Sequence, residues 1–226
     1  MFQLIKVRLS KDIFNELNES FPQEERFIEN EFSVNLPAQY KLKQRIKRSW
    51  INNKPSPESV ANYEKNFGPQ YYSFTHGNFF GIVINSSLYF DSTLAHELAA
   101  KKDTWLHETL ERADKLKYTN IVLFEHIPWF INEPNEKNGY FNIPATTRKN
   151  HIELLKKYGI QYVFAGHLHK NALGHDGDLL IVTTGPVGKP LGKDSSGLRV
   201  VTVKGNKISY PYYSLDSIPE KVRLNK

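Results

Sequence analysis

Three short apolar runs, Ile121–Phe124, Ile160–Ala165 and Leu179–Thr184, constrain what this chain can fold into more than any other feature. A strand with one face in water alternates apolar and polar residues, whereas a strand covered on both faces reads as a nearly continuous apolar stretch. Covering both faces requires layers above and below. Between the first two runs the pattern predicts a helix from about Pro144 to Tyr158, stopped at Gly159. A longer helix is expected over Leu94–Lys117, where Leu98, Trp105, Leu106, Thr109, Leu110, Ala113 and Leu116 recur at three- and four-residue steps. Strand, helix, strand, then strands in series describes an α/β protein with a mixed sheet.

The flanking text agrees with that class. Lys54-Pro55-Ser56-Pro57-Glu58 breaks the chain and offers Ser56 or Ser59 as the cap of a short helix through Phe67, which Gly68-Pro69 ends. Tyr71–Phe74 and Phe79–Asn85 read as a hairpin around His76-Gly77-Asn78. Leu198–Val203 and Lys207–Tyr213 read as a second, turned at Gly205-Asn206. Residues 1–52 change character every ten or so, from a strand-like Phe2–Leu9 through an acidic stretch to a basic run, and carry no recognisable chemistry. They are treated as an unassigned segment ahead of a domain over 53–216 and a tail over 217–226.

Composition narrows the chemistry. At 226 residues, with 39% hydrophobic and 24% charged, the chain suits one α/β domain rather than a disordered or fibrous protein. No apolar stretch is long enough to span a bilayer, and Met1–Ser10 lacks a signal-peptide core, so a soluble cytoplasmic protein with no membrane partner is expected. The absence of cysteine removes disulfides, thiolate metal sites and a cysteine nucleophile, leaving His, Asp, Glu, Asn or water as metal ligands. The net charge of +6 is spread along the chain, with nine basic and seven acidic residues before Asn53. The dense run Lys41, Lys43, Arg45, Lys47 and Arg48 reads as a solvated face, so nucleic acid is disfavoured as a partner.

Of the eight histidines, three fall where buried strands end. His126 follows Phe124-Glu125, and Gly166-His167-Leu168-His169 follows Ala165. Functional groups of an open α/β sheet gather past the carboxyl ends of its strands. Imidazole is the commonest metal ligand, so three of them at neighbouring strand ends suit divalent cations. A bare His-x-His pair is weak evidence, since eight histidines in 226 residues produce one by chance about 0.3 times. The preceding strand and the glycine supply the specificity. His76, His96, His107, His151 and His175 fall in turns or on helix surfaces and are expected to be exposed.

Gly166-His167-Leu168-His169 with the upstream Glu125-His126-Ile127-Pro128 resembles the last two motifs of the calcineurin-like metallophosphoesterases. Tyr71-Tyr72-Ser73-Phe74, Asn85-Ser86, Trp105-Leu106, Tyr140-Phe141-Asn142, Thr147-Arg148-Lys149, Gly197-Leu198-Arg199-Val200-Val201 and Tyr212-Tyr213-Ser214-Leu215-Asp216 are similar to a cytosolic branch of that family, over about 53–216. The resemblance implies a four-layer sandwich of two mixed sheets flanked by helices, and two divalent metal ions, manganese, iron or zinc, at the strand ends. It also implies hydrolysis of a phosphorylated protein or a small phosphoester, in the manner of protein serine/threonine phosphatases. By motif, His126 and His167 would bind one metal and His169 the other. The family's Asp-x-His, Gly-Asp-x-x-Asp and Gly-Asn-His-Asp/Glu motifs are absent from the sequence, and Gly77-Asn78 and Gly177-Asp178 only imitate fragments of them. The expectation is therefore a fold lacking its N-terminal part, inactive in two-metal hydrolysis. The alternative is a non-catalytic remnant that binds a phosphorylated ligand or partner, with Arg148 and the Gly185–Gly197 loop as its contacts.

Overall fold

The computed structural model describes Lys6–Val7 and residues 54–219. The Lys41–Arg48 run, most of the Phe2–Leu9 stretch and most of the 217–226 tail lie outside the described residues. In chain order the elements are β1 (Lys6–Val7), α1 (Pro57–Phe67), β2 (Tyr72–His76), β3 (Phe79–Val83), α2 (Ser87–Phe90), α3 (His96–Lys115), β4 (Asn120–Phe124), α4 (Ala145–Lys157), β5 (Tyr162–Ala165), β6 (Ala172–Asp176), β7 (Leu179–Thr183), β8 (Gly197–Lys204), β9 (Lys207–Ser209) and β10 (Tyr212–Ser214). A single 3-10 turn, Leu215–Ser217, follows.

α1 starts where its capping residues dictate. The Ser56 hydroxyl accepts the Ser59 backbone N–H and the Ser59 hydroxyl accepts that of Ser56, with Pro57 supplying a preset φ in the first turn. The reciprocal pair satisfies two donors that a helix start leaves free.

The larger sheet has the order β2-β3-β4-β5-β7-β6. Its four inner strands β3, β4, β5 and β7 run parallel, and β2 and β6 close the two edges antiparallel. Every residue of β4 is buried, which is why its sequence does not alternate. One face packs Phe80, Ile82, Ile121, Leu123, Val163 and Ile181 under Leu106, Leu110 and Ala113 of α3 and Ile152 and Leu155 of α4. The opposite face packs Phe79, Val122, Phe124, Phe164 and Val182 against Val201, Val203, Ile208 and Tyr210. Those four residues belong to, or adjoin, the second sheet, in which β8 pairs with β1 in parallel and with β9 and β10 antiparallel. The described residues thus form helices, sheet and sheet in three layers, a mixed-sheet α/β architecture consistent with the expected sandwich.

Two elements are not expected from the sequence pattern. The edge strand β6 reads Ala-Leu-Gly-His-Asp because Gly174 lies against the Phe130–Ile131 segment, where a Cβ would sit 2.7 Å from the Ile131 carbonyl oxygen and 2.9 Å from the Phe130 ring. α2 spans only four residues. The run expected over Lys207–Tyr213 is divided at Tyr210-Pro211, since proline has no N–H to give the ladder. His151, expected on the surface, is instead half-buried. Its ring stacks on Trp129 at 5.0 Å, and its Nε2 lies 2.7 Å from the Asp103 carboxylate.

Candidate metal-binding site

The site forms where parallel strands β4 and β5 end. Their ladder continues one step past the strands, through a hydrogen bond from the Gly166 N–H to the His126 carbonyl at 3.0 Å, and this tie draws the two histidine segments together. The turn after β4 is fixed from behind by Ser86. Its hydroxyl, 1% exposed, accepts the backbone N–H groups of His126 at 3.1 Å and Ile127 at 2.8 Å. The turn after β5 is tighter. His167 and His169 both have left-handed backbone angles, with φ of 64° and 59°, a conformation costing about 1–3 kcal/mol at a non-glycine residue and kept only where surroundings enforce it. The Leu168 N–H donates to the Gly166 carbonyl, closing a γ-turn around His167, and the His169 carbonyl accepts the Leu191 N–H at 2.8 Å.

These turns bring the His126 and His167 rings to a centroid separation of 5.0 Å, nearly edge to face. The His167 ring lies 2.8 Å through Nε2 from the Tyr140 carbonyl oxygen. A carbonyl can only accept, so Nε2 carries the proton and the free lone pair is on Nδ1. Tyr140 and Phe141 flank the same ring at 4.9 and 5.7 Å.

The electrostatics favour neutral rings. Burial holds the His167 imidazole below its ordinary value, and the neighbouring His169 adds to the depression, against a partly opposing hydrogen bond to Tyr140. At His126 the surrounding protein acts first, and His167 and His169 then disfavour a third positive charge. His126 is exposed to solvent as a residue, which tempers the shift without reversing it. Neutral imidazoles keep the lone pairs that a cation needs.

Among the described residues no group of three or more His, Cys, Asp or Glu side chains is placed to hold a metal ion. His126 and His167 are brought together, and His169 is close enough to influence both electrostatically but does not complete a three-ligand cluster with them. Two imidazoles fit one cation position. Two divalent ions a few ångströms apart repel strongly and need anionic ligands between them, which the described residues do not supply.

Arg148, expected to contact phosphate, is 0% exposed and turned away from solvent. Its guanidinium donates to the backbone carbonyls of Trp129 and Glu136, so the group is committed to the interior of the protein. Sequence reasoning noted Ser86 and Tyr140 only within stretches of family resemblance and gave neither a role at the site. Ser86 acts through a hydroxyl and Tyr140 through a main-chain carbonyl, and neither announces itself by spacing.

The calcineurin-like phosphoesterase family model matches residues 21–171, more than half of the chain. The chain belongs to the calcineurin-like phosphoesterase family. The match begins ahead of Asn53. Within the curated proteins, this family member is 38% identical over 172 residues to the serine/threonine-protein phosphatase CPPED1 of Danio rerio, covering 76% of this chain and 55% of the relative. It is 37% identical to the Homo sapiens protein of the same name with the same coverage. The chain thus spans about half the length of the curated relatives it matches. Among solved structures, the GAP50 anchor of the Plasmodium inner membrane complex superposes with a TM-score of 0.49 at 19% identity, covering 64% of this chain and 49% of that one.

Proposed function

We propose that this phosphoesterase family member carries the imidazole half of a two-metal, phosphoester-hydrolysing centre. In that reading His126 and His167 hold one divalent ion, and His169 contributes to the position of a second. The observation that carries it is the 5.0 Å pairing of His126 with a His167 ring whose Nε2 is already taken by a backbone carbonyl. The ions are manganese, iron or zinc, and the substrates are phosphorylated proteins or small phosphoesters, as the names of the CPPED1 relatives suggest. A cytoplasmic setting is part of the proposal. Among the described residues no helix is long and apolar enough to cross a membrane.

Hydrolysis by a metal pair needs bridging carboxylates, and these are missing from the described part of the site. The 226-residue chain is accordingly expected to bind a cation through His126 and His167 and to show negligible phosphatase turnover. The test measures hydrolysis of p-nitrophenyl phosphate with manganese or zinc, alongside metal content by mass spectrometry. Two equivalents of metal with turnover abolished by His167→Ala would overturn the inactivity, and metal binding untouched by His126→Ala and His167→Ala would overturn the site.

A second reading, a protein that binds phosphorylated ligands without cleaving them, is favoured by one feature. The 185–197 loop is tied to the site by the Leu191-to-His169 bond and exposes Lys189 and Lys193. Arg148 no longer contributes to it. Phosphopeptide binding that persists in EDTA and is lost on neutralising both lysines would support it.

A further inference from the structure

The Nε2 partner of His167 lies on a loop that packs Phe141 against the His167 ring and Ile143 into the core but leaves most of its other side chains in solvent. Tyr140 is 60% exposed, and residues 137–139 are exposed with it. A polar scaffold beneath it fixes the exposed part. Arg148, on the first turn of α4, spans two segments with one guanidinium, donating to the Trp129 carbonyl at 3.3 Å and to the Glu136 carbonyl. The Glu136 carboxylate accepts the backbone N–H groups of Ile131 at 2.8 Å and Asn132 at 2.9 Å. It also accepts the Asn142 amide at 2.6 Å. Asn142, 5% exposed, then reaches back across Tyr140 to the segment before it, donating to the Lys137 carbonyl at 3.0 Å and accepting the Gly139 N–H at 2.8 Å. Asn138 and Ile143 complete the strap, through the Ala145 N–H at 2.7 Å and the Pro128 carbonyl at 3.0 Å.

A buried guanidinium is costly, and this one is retained with its Nε unpaired. A lysine offers one compact donor group and cannot reach two divergent carbonyls with a fixed planar fork. The arrangement therefore does something that general packing does not require. At its far end is the Tyr140 carbonyl, 2.8 Å from His167 Nε2. Displacing that carbonyl by an ångström would leave His167 free to carry its proton on either nitrogen.

We propose that Arg148 is a positioning residue for His167: through Glu136, Asn142 and the Tyr140 carbonyl it fixes the imidazole as the Nε2–H tautomer and leaves Nδ1 free. The use of that lone pair for a cation rests on the function proposed above, whereas the tautomer itself does not. An outer partner that orients a ligating histidine typically changes metal affinity 10- to 100-fold when removed.

The experiment reads the tautomer directly, by long-range 1H–15N NMR of the full chain without metal, and cobalt(II) affinity separately. Wild type and Tyr140→Phe, which keeps the carbonyl, should show the single Nε2–H pattern for His167. Arg148→Lys and Asn142→Ala should show a mixture with the Nδ1–H form, and cobalt(II) affinity about 10- to 100-fold weaker. Should Arg148→Lys fail to fold, Asn142→Ala, which leaves Arg148 in place, decides alone. An Nδ1–H pattern in wild type, or an unchanged Nε2–H pattern in folded variants, overturns the positioning role. Intact tautomer shifts with cobalt(II) binding indifferent to His167→Ala would instead sink the proposed metal site and leave the positioning role standing.

Discussion

Behind the strand end that carries His126 lies a charge pair that can be dissected. Lys102 on α3 is 0% exposed, with its Nζ over the Tyr89 ring and no hydrogen bond. Glu125, the residue before His126, is 8% exposed, and neither carboxylate oxygen has a hydrogen-bond partner. Burial pushes the lysine well below its ordinary 10.5 and the glutamate well above its ordinary 4.5, and the attraction between them opposes both shifts. Lys102→Met keeps the buried stem and removes the cation, so Glu125 must become neutral to remain inside. Holding a carboxyl of ordinary pKa 4.5 protonated at pH 7 costs at most about 3.4 kcal/mol, because the unfolded chain ionises freely. A raised folded-state pKa gives stability that is present below the unfolded value and lost as pH rises. The deficit of Lys102→Met should therefore shrink to under about 1 kcal/mol at pH 5. Lys102→Met/Glu125→Gln removes both charges and should match or exceed wild type, since apolar or neutral replacement of a buried pair is often neutral or stabilising. Denaturant unfolding of Lys102→Met, Glu125→Gln, the double variant and wild type at both pH values measures this. A Lys102→Met deficit equal at pH 5 and pH 7, or single effects that sum to the double, would show that the two charges do not depend on each other.

Ser86→Ala strands two backbone N–H groups in the turn before the site, so we expect a loss of about 1–3 kcal/mol by urea titration and shifted His126 resonances; unchanged resonances would mean that the turn holds itself. Gly81→Ala would set a Cβ against the Phe74 ring, 2.3 Å from its Cζ, and should cost about 1–3 kcal/mol in thermal unfolding unless that ring can swing aside. The Asp103 carboxylate is held below its ordinary value chiefly by its hydrogen bond to His151. A depressed acid contributes stability above its unfolded pKa and loses it as pH falls through the folded one, so Asp103→Asn should flatten the pH–stability curve below about pH 4. An unaltered acid limb would assign that loss to other carboxylates.

The strands and helices were legible because burial on two faces leaves a mark on sequence. β4, β7, α3 and α4 lie within two residues of where Ile121–Phe124, Leu179–Thr184, Leu94–Lys117 and Pro144–Tyr158 put them. β6 escaped because an edge strand needs few apolar residues and because Gly174 answers to a neighbouring carbonyl rather than to a core. His126 and His167 were legible from their position after buried strands. Arg148 misled for a physical reason. Arginine suits phosphate and stacked carbonyls equally, and a side chain on the first turn of a helix gives no sign of which it faces. His151 misled likewise, since a helical histidine with an aspartate 48 residues earlier cannot reveal their contact.

His167 and His169 are wound in the sense that L-amino acids avoid, and the single Leu168-to-Gly166 bond within the tetrad Gly166–His169 is too little to keep both so. Cut free of β5 and of Leu191, the segment would relax and its rings would point elsewhere. An ion held there, as proposed, would recognise the assembled molecule and ignore the unravelled polymer. Loading the site should for that reason shift the melting temperature upward, and the size of the shift would report occupancy without any need for turnover.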